Sequence, residues 1–478
     1  MTAKKKASKK KAAAKNKGGA PAKVERGPDG SYPETKILSR LFDVKDGHKL
    51  SVAKKHGAYA NLEKAVNTMT PDEVIEEVKT SRLRGRGGAG FPTGVKWGFI
   101  PQDSDKTKYL VLNADESEPG TFKDRYLMER DPHLVLEGCL LCAYACDLDV
   151  IYIYIRGEYP GSIASMERAI EEARKAGLVG KDILGKKGFS VEAYVHPGAG
   201  AYICGEETGM LESLEGKRGH PRIKPPFPAV EGAFACPTVI NNVESLAHVP
   251  CIVEHGGAWF ADLGIAPDPD NPRALGSSGT KLMGLSGDIK NPGVWEFEFG
   301  ITVRELIEQY GGGALDGRKI KAVIPGGLSM PVLTADELDV PMGFDALVKV
   351  GSGLGTATAI VMDDNCDMVE ACENIAHFFA DESCGQCTPC REGCHWMEKI
   401  FARIKSGEGT PADLDLLEHL FVNIEGRTIC ALADAAVWPL RSILRKFRHE
   451  FLAKMPGHED PKAAKAEASD EAEAVGAK

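Results

Sequence analysis

The chain has 478 residues, a net charge of −10 and 43% hydrophobic residues. This length supports about two to four domains with substantial cores, and the acidic balance excludes the basic field that a nucleic-acid partner needs. Thirteen cysteines in so long a chain are too dilute for a secreted disulfide scaffold. They point to free thiols in a reducing compartment.

The first 23 residues hold nine lysines and no apolar stretch, which excludes a secretory signal. Residues 1–30 are expected to form a disordered tail, and so is the Ala/Glu/Lys/Asp-rich segment 458–478. No run approaches the ~18–20 apolar residues of a spanning helix. The longest candidate, Leu134 to Ile155, is broken by Glu137, Asp147 and Asp149, so direct membrane insertion is not expected.

Thr70-Pro-Asp-Glu carries a helix-start signature that Val74 to Val78 continue. Lys108 to Asn113 reads as a buried strand, Pro132 to Cys146 as an apolar helix and Val150 to Arg156 as a strand. Ile163 to Ala176 reads as a helix, and Phe189 to Tyr194 as a strand. This alternation predicts an α/β domain over residues 31–262. After a proline-rich boundary near Ala266, the segments 279–286 and 293–298 predict a hairpin. Val303 to Tyr310 then reads as a helix and Lys319 to Ile324 as a strand, giving a small α+β module over 263–356. From Cys366 onward helical periodicity dominates, with helices expected at 369–380, 393–406, 413–421 and 437–455, in a domain covering 357–457.

Three stretches carry the pattern of a nucleotide site. Gly85-Arg-Gly87-Gly-Ala-Gly90 satisfies G-x-G-x-x-G, but it follows a predicted helix and is interrupted by Pro92 and Gly94, so it lacks the strand–turn–helix setting of the dinucleotide fingerprint. Its glycines still permit close backbone approach to a phosphate, and Arg84, Arg86 and Lys96 add positive charge. A plain surface loop is the competing reading. Asn113-Ala-Asp115-Glu116-Ser-Glu118 lies just past a strand's carboxyl end, where ligands bind in open α/β sheets. Its carboxylates suit ribose or ribityl hydroxyls, although acidic turns are common. In Tyr202-Ile-Cys204-Gly205-Glu206-Glu207, the tyrosine can flank a ring and Cys204 reads as a small core residue. Lys224 and Phe227, around a Pro-Pro turn, read either as a cation-plus-aromatic clamp or as a stiff connector.

Cys384-Gly-Gln-Cys387-Thr-Pro-Cys390, with Cys430 forty residues on, has the C-x-x-C-x-x-C spacing plus remote cysteine that suits a [4Fe–4S] cluster. Structural zinc, the rival, normally uses two separated C-x-x-C pairs. Cys394, one helical turn beyond Cys390, ranks below Cys430 as the fourth ligand. Cys139, Cys142 and Cys146 share one helix face and read as core.

Five motifs in order resemble the NADH-binding flavoprotein family of bacterial respiratory complex I, the F-type component of NADH–quinone oxidoreductase, which is similar to the mitochondrial 51 kDa subunit. They begin at Arg84, Asn113, Ala201, Glu382 and Asn423. The resemblance implies a Rossmann-like nucleotide-binding domain, a ubiquitin-like β-grasp (SLBB) domain and a C-terminal helical bundle carrying the iron–sulfur cluster. It implies FMN bound by Gly85, Gly87, Lys96, Asn113, Asp115, Glu116, Tyr202, Gly205, Glu206, Asn241 and Asn242. NAD(H) is implied as substrate beside Phe91, Phe99, Glu118, Glu207, Lys224 and Phe227, with Glu118 and Glu207 as catalytic carboxylates. It further implies hydride transfer from NADH to FMN and single-electron passage to a cluster on Cys384, Cys387, Cys390 and Cys430. Implied partners are the iron–sulfur subunits of the complex I peripheral arm, especially the E-like [2Fe–2S] protein and the G-like protein. Quinone is the implied final acceptor, and the implied location is the cytoplasmic face of the inner membrane. The same module resembles the diaphorase subunits of NAD-linked hydrogenases and formate dehydrogenases, which remain the alternative.

Overall fold

The computed structural model describes residues 24–457 apart from Pro272. The expected tails 1–30 and 458–478 lie outside it except for residues 24–30, where Arg26 forms an ion pair with Glu305.

Four parallel strands form the first sheet: β1 (Tyr109–Ala114), β2 (Val150–Ile155), β3 (Glu192–Pro197) and β4 (Thr238–Asn242), in the order β3-β2-β1-β4. The chain steps outward from β1 through β2 to β3, then returns to the other side of β1 to lay down β4. The direction therefore reverses between β1 and β4, and a crevice opens outside their carboxyl ends. The alternation of strand residues fixes the two faces. Leu110, Leu112, Ile151 and Ile153 enter a core with the helix Pro132–Cys146, while Val111, Tyr154 and Ile240 face Met210, Leu211 and Leu214. That helix starts on Asp131, whose side chain accepts from Leu134 N, with Pro132 in its first turn. All its residues are buried, which accounts for its lack of an amphipathic stripe.

The strand expected at 189–194 is shifted to 192–197. Phe189 closes a turn by accepting from Ile183 N, and Val191 pairs with Gly180 across an isolated bridge, so pairing with β2 begins only at Glu192. The fourth strand, β4, is not anticipated by the sequence pattern.

The second sheet has five strands in the order 333–334, 320–324, 358–363, 280–287, 293–298. Thr280–Gly287 and Gly293–Glu298 form the expected antiparallel hairpin. Thr358–Asp363 runs parallel to the first of these and is likewise unanticipated. Leu306 and Ile307, from the helical turns 303–310, join Met283, Leu285 and Phe297 in one core, the β-grasp arrangement of a helix across a sheet.

The last part is helical: Met368–Asp381, Thr388–Lys405, Pro411–Ile424, Leu432–Lys446 and Arg448–Ala453. Phe379, Phe401, Phe421 and Leu440 form its centre. The single helix expected over 437–455 is divided at Phe447, which leaves helical geometry with φ −118° and ψ 27° and is itself buried.

Candidate functional site

The crevice between β1 and β4 gathers the three nucleotide stretches. The glycine loop leaves the helix Pro71–Thr80 and closes on itself: Gly85 N donates to Phe91 O, and Thr93 N to Leu83 O. It is thus a hairpin between two helices, not the strand–helix turn of the dinucleotide fingerprint. Gly87 lies against β4, where an added Cβ would come within 3.1 Å of the Asn242 Cβ. The arginines of the loop do not supply charge to the crevice. Arg86 is fully buried, with Nη2 donating to Ser278 O at 2.7 Å and Thr280 O at 3.0 Å and its guanidinium over Phe299. Burial lowers its pKa to about 10. Arg84 reaches Gly90 O, Gly276 O and Asp345. A planar guanidinium satisfies several carbonyls at once, so both arginines staple the loop to the β-grasp region instead.

Two asparagines at the end of β4 are held by neighbours. Trp97 Nε1 donates to Asn241 Oδ1 at 2.9 Å, and Asn242 Nδ2 donates to Asp124 Oδ2 at 2.7 Å. Across the crevice, Asn113 Nδ2 donates to Gly205 O at 2.8 Å. Gly205 approaches Asp115 closely; its Cβ would lie 3.4 Å from Asp115 O.

The acidic strand end divides into three fates. Asp115 is buried, and burial raises its pKa to about 7 against the pull of Ser117. Its Oδ2 has no hydrogen-bond partner among the described residues. Glu116 accepts from Asp124 N at 2.8 Å and Arg125 N at 3.1 Å, at the start of the helix Lys123–Arg130. Burial and then Asp124 raise its pKa to about 7. Glu118 accepts from Ser329 N and Ser329 Oγ, both at 2.7 Å, and from Tyr202 Oη at 2.8 Å. Burial raises its pKa, with the serine and tyrosine donors opposing.

Tyr202 begins a short helical turn, and its ring stands edge-on to Phe378 and Phe379 of the helical region. Glu206 caps the helix Glu207–Leu214 by accepting from Thr208 N and Gly209 N, both at 2.8 Å. Glu207 lies between two lysines, with Lys96 Nζ at 3.0 Å and Lys224 Nζ at 2.7 Å. Burial works to raise its pKa, but the lysines outweigh it and keep the carboxyl below its ordinary range. Lys224 also reaches Glu206 at 3.1 Å. Phe91, Phe99 and Phe227 are about half exposed at 48%, 54% and 58%. The first two have ring centroids 6.2 Å apart.

The donor set fits a phosphorylated flavin. The buried, unpartnered Oδ2 of Asp115 can accept from a hydroxyl in either protonation state, the glycine loop permits close backbone approach, and the rim offers cations and aromatic faces.

Cys387 sits at the N-cap of the helix Thr388–Lys405, Cys390 in its first turn and Cys384 in the preceding loop; Cys430 precedes Leu432–Lys446. Cys384, Cys387 and Cys430 pack half-buried against the helical core that holds Cys390 and Cys394. Cys390 interacts electrostatically with Cys384 and Cys430. Cys394 and then Ser383, whose Oγ lies 3.2 Å from Cys390 Sγ, lower the Cys390 pKa to about 7, against burial. Among the described residues no three His, Cys, Asp or Glu side chains converge as a metal site. Thiolates have the right softness for iron. Reasoning from sequence missed Trp97 and Ser329; neither lies in a motif, and only the folded chain brings them to Asn241 and Glu118.

Comparison with known proteins agrees with this layout. Residues 78–251 match the Nuo51 FMN-binding domain, 283–333 the SLBB domain and 370–454 the NADH-ubiquinone oxidoreductase-F iron-sulfur binding region. The NADH-quinone oxidoreductase F subunit 2 of Rhizobium meliloti (strain 1021) is 55% identical over 87% of this chain and 97% of its own length. The F subunit of the Escherichia coli (strain K12) NADH-quinone oxidoreductase is 49% identical over 88% and 93%. A solved NAD+-reducing [NiFe]-hydrogenase superposes with TM-score 0.76 at 35% identity, covering 89% of this chain and 68% of the hydrogenase chain. The fold and its matched regions define a flavin- and iron–sulfur-binding oxidoreductase subunit. The chain belongs to the F-subunit family of NADH-quinone oxidoreductase. It is an NADH dehydrogenase subunit that conveys electrons from NADH by way of FMN and iron–sulfur, in partnership with the peripheral arm of complex I. No helix among the described residues is long and apolar enough to cross a membrane.

Proposed function

We propose that the crevice holds FMN and the nicotinamide of NADH together, and that Cys384, Cys387, Cys390 and Cys430 ligate one [4Fe–4S] cluster that receives the electrons. A bound flavin accepts two electrons as hydride and releases them singly; the protein supplies position and electrostatics. Gly85, Gly87, Lys96, Asn113, Asp115, Glu116, Tyr202, Gly205, Glu206, Asn241 and Asn242 frame the flavin. Lys96 and Lys224 balance Glu207 beside the dinucleotide, Phe91, Phe99 and Phe227 offer their rings to it, and Glu118 borders the reacting end. Thiolates at the four cysteines match the soft-ligand preference of iron.

The observation that carries this reading is a direct link between the two centres. Tyr202 N donates to Glu382 Oε2 at 3.0 Å, two residues before Cys384. The same short segment accepts the Asn113 amide at Gly205. One stretch of backbone thus touches both the crevice and the cysteine loop and holds the two proposed centres side by side.

The onward partners we propose are an E-like [2Fe–2S] protein and a G-like iron–sulfur protein of the peripheral arm, with quinone as terminal acceptor, on the cytoplasmic face of the inner membrane. The solved hydrogenase, of similar fold, supports the alternative of a diaphorase subunit. The F-subunit relatives match at higher identity and over nearly their whole length, which favours the first reading. The test is anaerobic purification with partner subunits and NADH titration followed optically and by EPR. Flavin bleaching with a reducible four-iron signal and quinone-dependent turnover is expected. A cluster that ignores NADH sinks the proposal, and turnover with hydrogen or formate in place of quinone selects the alternative.

A further inference from the structure

The β-grasp region contributes directly to the crevice. Glu118 projects from the end of β1 into a tight turn, Gly326-Gly327-Leu328-Ser329, two hundred residues away in sequence. Ser329 is buried at 7% exposure. Its N–H and hydroxyl both reach Glu118 Oε1 at 2.7 Å, the hydroxyl is also 2.7 Å from Oε2, and Tyr202 Oη lies 2.8 Å from Oε2. Three donors converge on one carboxylate, which opposes but does not overcome the effect of burial and fixes its plane. Gly327 has φ +90°, and a Cβ there would lie 2.6 Å from Glu118 Cγ. The turn is therefore shaped around this one side chain. Neighbouring contacts keep the two loops in register: Leu328 N donates to Pro119 O at 3.2 Å, and the Thr121 and Thr356 hydroxyls are 2.6 Å apart.

We propose that Ser329 is a positioning residue for NADH oxidation, holding Glu118 in place from the β-grasp region, so that this region completes the reaction site as well as packing beside it. The inference rests on the reading that Glu118 borders the nicotinamide.

The test uses the purified complex, with ferricyanide as acceptor so that the flavin step is read without quinone. Ser329→Ala should lower kcat/KM for NADH about tenfold, the effect of removing one buried hydrogen bond to a charged group, with FMN content unchanged. Glu118→Gln should also lower it. The double variant should be no slower than Glu118→Gln alone, because the carboxylate is where Ser329 and Tyr202, whose hydroxyls are 3.2 Å apart, both act. If Ser329→Ala loses flavin, Ser329→Cys, which keeps a weak donor of similar size, carries the same comparison. Full kcat/KM in the Ser329 variant beside an impaired Glu118→Gln overturns the positioning role and leaves the Glu118 reading intact. Losses that multiply in the double variant also overturn it. An unimpaired Glu118→Gln overturns the reading beneath it.

Discussion

In the nucleotide crevice nearly every polar group has a partner before any ligand arrives. Asn241 is held by Trp97, Asn242 by Asp124, Asn113 by Gly205, and Glu118 by Ser329 and Tyr202. In the helical region the four cysteines come from two separate stretches, around the start of the helix Thr388–Lys405 and just ahead of Leu432–Lys446. The first site is shaped by the protein and presented to its ligand. The second has a scaffold with its own aromatic core, and four thiolates brought together there would repel one another without a cation between them. A cluster held as proposed would therefore contribute to local folding, whereas flavin binding should resemble docking into a formed cleft.

This contrast can be broken by four substitutions. The largest effect is expected for Cys384→Ser in the purified complex: the four-iron EPR signal and NADH–quinone turnover fall to background, while flavin absorbance and NADH–ferricyanide activity stay near those of the unaltered complex. Loss of flavin as well would mean that the two centres fold as one. Gly87→Val should weaken FMN binding roughly 30-fold, the equivalent of about 2 kcal/mol of overpacking, because its side chain must enter the space of Asn242. The cluster signal should persist, and equilibrium dialysis with FMN checks the affinity. Trp97→Phe removes one buried hydrogen bond and frees the Asn241 amide to turn. Fluorescence titration should show FMN held about tenfold more weakly, and unchanged affinity would show that the amide needs no anchor.

The smallest effect concerns Asp115. Its pKa is raised by burial from an ordinary 3.8 to about 7, so the folded protein favours the protonated form. The stabilisation is complete below about pH 4 and is lost as pH rises through 7. Asp115→Asn apoprotein should therefore unfold roughly 2–4 °C higher than wild type at pH 8, with the difference closing near pH 4. Flavin affinity should move the other way, since half of the acceptor pair is gone. Equal midpoints at pH 8 would show a hydrated carboxylate.

Much of this plan was legible in the chain. Strictly local signals located the helix from Pro132 to Cys146, the hairpin at 280–298 and the cysteine run, because apolar periodicity, capping residues and ligand spacing each act within a few residues. β4 escaped notice because Thr238–Asn242 is short and carries two asparagines, poor strand formers whose place is decided by pairing with β1. The loop arginines misled for a related reason: charge is visible in sequence, direction is not, and carbonyls at Ser278 and Thr280 turned Arg86 inward. Ser329 was out of reach altogether, since its meaning comes from a carboxylate 211 positions earlier.

The phenyl rings of Phe91, Phe99 and Phe227, about half in water at the rim, have a thermodynamic consequence. Covering such surface removes structured hydration and carries a negative heat-capacity change. Dinucleotide binding there should grow more exothermic with warming. Calorimetry at several temperatures would then separate this apolar rim from the ion-paired lysines behind it, whose contribution should shift with salt instead.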